Sequence, residues 1–196
     1  EPVVSMKKLT TGVFNIITAK RNEDFDVVVV TTGGNAYRHT GSTGDGYDFA
    51  KACGHTITQL GPSLNSFEAK ENWCKEISGI SLPQASLQEA KPQAPVITGP
   101  FLFTHFGISG PVVFAFSAHV PFEPITAAKP LSIRLYPLGY NSFDYWEKEL
   151  LRLFHINSGK SVANVLRTLM PKRLVAQLMI LAHIAESDTC HQLPKQ

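Results

Sequence analysis

Four consecutive valines, Val27–Val30, preceded by Phe25 and cut off by Thr31-Thr32-Gly33-Gly34, constrain this chain more than any other stretch. An apolar run without period-two alternation reads as a strand, here over Phe25–Val30, buried on both faces as in a parallel sheet covered by helices. Residues 35–45 follow, polar and glycine-rich, and then Gly46–Cys53 reads as a short helix closed by Gly54. Asp45 stands where an N-terminal cap or a first-turn carboxylate belongs. Strand, glycine loop and helix in that order are the local grammar of an α/β nucleotide-binding domain.

Around this unit the pattern changes. Val13–Ala19 reads as a strand and Arg21-Asn22-Glu23-Asp24 as a turn. From His55 onward, Thr56–Leu60, Leu64–Phe67, Ile80–Leu87 and Val96–Thr104 read as short strands separated by Pro, Gly and Ser. Ser109-Gly110-Pro111 marks the start of a short helix over Pro111–Ser117. Leu131–Tyr136 alternates as a strand does. The last third is helical: Phe143, Trp146, Leu150 and Leu153/Phe154 recur at helical spacing, then Val162, Val165, Leu166 and Leu169, and a third helix starts at Pro171 with Leu174, Leu178 and Leu181. These stripes read as core packing.

Composition closes several other routes. With 43% apolar and 17% charged residues in 196, the chain has the make-up of a folded globular protein rather than a disordered one. The net charge of +2 is scattered, with no basic stripe of the kind nucleic acids select. Cys53, Cys74 and Cys190 form an odd set without C-x-x-C spacing, which reads as reduced thiols of a cytoplasmic protein. No apolar run approaches the roughly 18 residues that suggest a membrane span, and no signal peptide opens the chain. The chain begins Glu1-Pro2-Val3-Val4 without an initiator methionine and stops in a polar stretch, Glu186–Gln196, which reads as an excised fragment.

Two segments carry candidate chemistry. Between Gly33 and Gly46, five glycines fall within fourteen residues, enough for the backbone to approach a ligand closely. Backbone N–H groups at the start of the following helix would face an anion or an electron-rich oxygen. The order Gly41-x-x-Gly44-x-Gly46 is not the dinucleotide fingerprint G-x-G-x-x-G, so on the residues alone this is either a ligand loop or a structural turn. The second segment, Thr104-His105-Phe106-Gly107-Ile108-Ser109-Gly110-Pro111, reads as a strand end turning into a helix. His105 there is either a pocket residue able to move a proton near neutral pH or a histidine tied into a tight turn.

Other motif matches fail. Ser158-Gly159-Lys160-Ser161 lacks the earlier P-loop glycine, since Phe154 occupies its place, and reads as a helix start. Gly107-Ile108-Ser109-Gly110-Pro111 departs from the nucleophile elbow at Pro111, which leaves a serine hydrolase built on Ser109 as a minor rival. The seven histidines (39, 55, 105, 119, 155, 183 and 191) show no paired metal spacing, so no metal site is expected.

Taken together, Thr31-Thr32-Gly33-Gly34 through Gly41-Ser42-Thr43-Gly44-Asp45-Gly46-Tyr47, with Ala50 and Gly54-His55-Thr56-Ile57-Thr58, resemble a flavin-contacting region of the bacterial aminoacetone oxidase-like NAD(P)/FAD-dependent oxidoreductases. Phe103–Pro111 resembles a second signature of that family, in the domain inserted into its flavin fold, and Pro62-Ser63-Leu64 and Gly79-Ile80-Ser81-Leu82 lie between in the expected order. The resemblance spans nearly the whole chain. Thr31 replaces the usual alanine, and Ala36-Tyr37-Arg38 replaces the usual Ser-Tyr-Pro, so a side-chain role at positions 36 and 38 does not carry over.

The resemblance implies a mixed α/β and α+β fold. Residues 1–58 would be the remnant of an FAD-binding α/β domain, 59–190 an inserted substrate or cap domain of short strands with a helical C-terminal part, and 191–196 a tail. It implies an FAD-dependent oxidoreductase acting on a small organic substrate, with NAD(P)H or oxygen as redox partner and neither nucleic acid nor membrane. Thr32, Gly33 and Gly34 would lie beside the dinucleotide, and Gly41, Ser42, Thr43, Gly44, Asp45 and Gly46 would approach the isoalloxazine ring. His105 would contact substrate. Without an N-terminal dinucleotide fingerprint, the fragment alone is expected to be inactive and to lack FAD. The rival from another class is a non-enzymatic binding or interaction domain.

Overall fold

The computed structural model describes residues 1–192 and divides the chain into two compact units, one over Glu1–Leu60 and one beginning at Gly61. In the first, β1 (Val3–Lys8), β2 (Phe14–Thr18) and β3 (Asn22–Phe25) form an antiparallel meander in that order. Thr18 closes the β2–β3 connection: its N–H donates to Arg21 O at 2.9 Å and its hydroxyl accepts from Arg21 N at 3.0 Å. The turn therefore occupies residues 19–21, and Asn22-Glu23-Asp24 are strand rather than the turn their polarity suggests. The Asn15 amide, opposite Asp24, donates to Asn22 Oδ1 and Asp24 Oδ1, both at 2.6 Å, and satisfies the polar strand from across the sheet.

The valine run corrects the sequence reading. Regular pairing stops at Phe25, residues 26–34 join no ladder, and Val27 and Val29 are 77% and 78% exposed. A strand covered on both faces needs hydrogen-bonding neighbours at its edges and apolar layers above and below. The described residues supply only part of one face, where Val28 and Val30 line a shallow apolar depression with Met6, Phe14, Ala50 and Cys53. Beyond it, α1 (Asp45–Ala52) forms as its pattern predicts and is closed by Gly54, whose N–H reaches Lys51 O at 2.9 Å. Residues 56–60 form no strand.

The second unit is built on a five-stranded antiparallel sheet in the order β4-β7-β6-β5-β8, comprising β4 (Phe67–Glu68), β5 (Ser81–Glu89), β6 (Val96–Phe103), β7 (Gly107–Ser109) and β8 (Ile133–Tyr136). Of the strand expected over 64–67 only Phe67 is strand, together with Glu68 in β4. Pro83 and Pro100 both fall where the β5–β6 register shifts, between the pairs Leu82–Phe101 and Ala85–Gly99. A bulge is where a strand tolerates a residue with no N–H to give. The helices are α2 (Asn72–Glu76), α3 (Pro111–Ser117), α4 (Phe143–Ile156), α5 (Val162–Leu166) and α6 (Lys172–Leu181). As read from the sequence, α3 starts with proline at its first turn after Gly110. Ser142 and Ser161 cap α4 and α5 through their hydroxyls.

Two apolar clusters hold this unit. Leu82, Ala85, Leu87, Phe101 and Phe103 of the sheet pack on Val112, Val113 and Phe116 of α3, with Phe101 and Phe103 edge to face at 4.7 Å between centroids. Burying one such phenylalanine contributes about 1.5–3 kcal/mol. The second cluster joins Val162, Ala163 and Val165 of α5 to Val175 and Met179 of α6 and to Cys190. Helix α6 serves both, because Leu174 and Leu178 face the sheet cluster while Val175 and Met179 face the helical one. Arg173 fixes its start by donating to the carbonyls of Ser78, at 3.1 Å, and Glu76.

The protein is thus a mixed α/β chain whose two sheets are both antiparallel. Of residues 191–196, 191 and 192 belong to a 3₁₀ turn over Cys190–Gln192, and 193–196 lie outside the described residues. Among the described residues, no helix is long and apolar enough to cross a membrane.

Candidate functional site

The glycine segment folds back on itself within the first unit. A Cβ added at Gly33 would lie 2.9 Å from Ser42 Oγ, one at Gly34 would lie 3.2 Å from Tyr47 Oη, and one at Gly46 would collide with Thr32 Oγ1. The two halves of the proposed cradle, 32–34 and 41–46, are therefore in contact. Gly44 caps α1 in the left-handed region at φ 93°, which places Asp45 in the first turn rather than at the cap. Between the halves, a 3₁₀ turn over Arg38–Thr40 is pinned by Arg38 Nη1 donating to Asn35 Oδ1 at 2.7 Å.

Apart from Gly41, whose N–H donates to Arg38 O at 3.1 Å, and Thr43, the backbone donors on this cradle are uncommitted. Among the described residues, the N–H groups of Thr32, Gly33, Gly34, Ser42, Gly44, Asp45 and Gly46 make no hydrogen bond, while Thr43 N–H is turned back to Gly41 O at 3.0 Å. The first N–H groups of a helix have no intrahelical acceptor, and here they stand beside two strings of small residues. Such a surface suits the carbonyl oxygens and ring nitrogens of a planar heterocycle, or a phosphate oxygen. Ser42 and Thr43 are half-buried and Thr32 and Asp45 are exposed.

His105 lies in the second unit, exposed, at the tip of the hairpin joining β6 to β7. Thr104 and Gly107 close the turn, with Thr104 N–H donating to Gly107 O at 2.8 Å and Thr104 Oγ1 accepting from Gly107 N at 3.1 Å. Gly107 is required there, because a Cβ would strike Ala69 N and Phe67 O. The His105 ring stacks on Phe106 with centroids 3.9 Å apart, and a shallow depression beside them is lined by Ser66, Phe67, Glu68 and Thr104. Ser109 Oγ stands 2.7 Å from Ser66 Oγ, and among the described residues no imidazole is hydrogen-bonded to it.

The two buried thiols are poor nucleophiles. Burial, reinforced by the negative charge of Glu71, pushes the Cys74 thiol up to about 11, and burial raises that of Cys190 as well. Among the described residues, no three His, Cys, Asp or Glu side chains converge as a metal ion would require.

The sequence of the second unit matches a known family over residues 61–196, that of the HI0933-like protein barrel and H2TH domain. The chain belongs to this family. The barrel and H2TH description agrees in order with an antiparallel sheet followed by the helical segment α4–α6. The chain is 25% identical over 195 residues to a 3-dehydro-bile acid delta(4,6)-reductase from Clostridium scindens, covering 97% of this chain and 46% of that protein. It is 27% identical over 188 residues to a ribosomal RNA dihydrouridine synthase from Escherichia coli, covering 94% of this chain and 43% of that protein. The chain thus spans less than half the length of these curated relatives.

In this HI0933-like chain, sequence reasoning singled out the glycine segment and His105 as candidates and did not single out the Ser66–Ser109 pair or the exposed Phe106. Ser66 and Ser109 are 43 residues apart and meet only because β4 pairs with β7. Phe106 did carry a signal, since a large aromatic side chain is unusual at the tip of a two-residue hairpin.

Proposed function

We propose that the full-length protein is an FAD-dependent oxidoreductase, with the glycine cradle of the first unit holding part of the flavin. The observation that carries this reading is the contact between residues 32–34 and 42–46, with every backbone donor but that of Thr43 left uncommitted among the described residues. Bound FAD would supply the hydride and electron chemistry that no side chain of this chain can perform. The chain's own residues have a narrower task. The N–H groups of Gly33 and Gly34 would donate to the dinucleotide and that of Gly46 to the ring system, and Gly46 keeps Thr32 close by having no Cβ. His105 would be a substrate contact.

The names of the two relatives suggest the substrate class. A 3-oxo steroid with ring double bonds and a uridine share a six-membered ring in which a C=C bond is conjugated to a carbonyl. We place the substrate of this protein in that class, with NAD(P)H or oxygen completing the redox cycle.

The test is the visible absorption spectrum of the full-length gene product, with the 196-residue chain run beside it. The reading expects a yellow full-length protein and a colourless 196-residue chain. A full-length protein that stays colourless after incubation with FAD would sink it and leave the non-enzymatic binding domain as the better account.

A further inference from the structure

We infer that the β6–β7 hairpin tip is a recognition platform for the substrate ring, with Phe106 stacking on it and the Ser66–Ser109 hydroxyl pair donating to its carbonyl. This rests on the conjugated-ring reading above, and its evidence lies wholly within the second unit.

The hairpin is built by residues that flank its tip. Thr104 Oγ1 accepts from the N–H of both Phe106, at 3.3 Å, and Gly107, at 3.1 Å, and Phe106 O accepts from Ala69 N at 3.0 Å. Two-residue hairpins favour Asn-Gly or a glycine at the tip, where φ is positive. Here His105 and Phe106 occupy those positions, and neither has positive φ. Local turn chemistry therefore gives no reason for an imidazole and a phenyl ring at 105 and 106, and a break with local rules is the expected mark of a functional position.

Packing does not account for the phenyl ring either. Phe106 is 61% exposed, although phenylalanine is a residue type that folding normally buries. His105 stacks against it at 3.9 Å with a 41° tilt, which leaves the rest of the ring open to solvent. A stacked aromatic pair with an open face accepts a further planar ring in an offset arrangement.

The hydroxyl pair supplies direction. Ser66 lines the same depression as His105 and Phe106, and its Oγ lies 2.7 Å from Ser109 Oγ. One hydroxyl hydrogen is used between the two oxygens. The other finds no acceptor among the described residues and is free to donate to a ligand carbonyl. Glu68, on the same rim, accepts from any N–H or O–H the ring carries. An apolar stacking face, one donor and one acceptor match a flat ring with a conjugated carbonyl better than a saturated or anionic ligand.

The test is NMR titration of the 196-residue chain with two uncharged probes, testosterone (a 3-oxo-Δ4 steroid) and uridine. Saturable shifts confined to Ser66, Glu68, His105, Phe106 and Ser109 are expected with at least one of them, and the probe that binds tells steroid from nucleoside. Phe106→Ala should weaken that binding about tenfold and Phe106→Trp should retain it. Because no flavin is needed, ring binding together with a colourless full-length protein would keep the platform and remove the flavin. Absence of saturable shifts with both probes, or shifts indifferent to Phe106→Ala, would overturn the platform whatever the spectrum of the full-length protein.

Discussion

Ser86 Oγ and Thr98 Oγ1 meet at 2.6 Å across strands β5 and β6, and the same Ser86 oxygen accepts from Tyr140 N at 2.9 Å. Ser86 is fully buried, so one hydroxyl joins two sheet strands and the segment leading into α4. Ser86→Ala strands the Tyr140 N–H and removes the partner of Thr98. The expected cost is about 1–3 kcal/mol, read as a lower urea midpoint with an unchanged slope.

Gly107→Ala tests the approach of β4 to the hairpin. Its Cβ would meet the backbone of Phe67 and Ala69, which cannot yield as a flexible side chain can. A loss of about 1–3 kcal/mol is expected, with faster amide exchange at residues 67–69 than in the rest of the sheet. Unaltered exchange there would mean that β4 is not held by this contact.

Gly46→Ala probes the cradle. In the full-length protein the added methyl pushes Thr32 away, and FAD affinity should fall about tenfold in equilibrium titration. Thr32→Ala removes the oxygen it strikes, so the double variant should recover most of the loss, as expected for neighbours that interact. Additive losses would place Thr32 and Gly46 in separate roles.

The pH dependence of stability follows from Cys74. Its folded-state pKa of about 11 lies above the ordinary thiol value of 9.0, so the fold favours the protonated thiol. That contribution is complete below the lower value and is lost as pH rises through the upper one. Between pH 9 and 11 the stability of Cys74→Ala should decline less steeply than that of the parent, measured by thermal melts at each pH. Cys53, which is only half-buried, should be alkylated before Cys74 under native conditions.

Local features were legible where they depend on local physics. The start of α3 follows from Gly110-Pro111, that of α5 from the segment ending at Ser161, and the stop of α1 from Gly54. The valine run was misread because its burial depends on layers and strand neighbours that period and composition do not specify. Asn22-Glu23-Asp24 looked like a turn for a similar reason, since Asn15 satisfies that polar edge from another strand.

By itself, then, the sequence determined the type and place of most elements and singled out the glycine segment and His105 as candidates, because propensity, capping and backbone freedom act over a few residues. Tertiary structure alone decided that Thr32 touches Gly46, that Ser66 meets Ser109, that Phe106 stays exposed, and that α6 bridges two cores. Those facts arise from strand register, helix facing and the folding back of a loop, which bring residues fourteen or more positions apart within ångströms, and no local pattern encodes them.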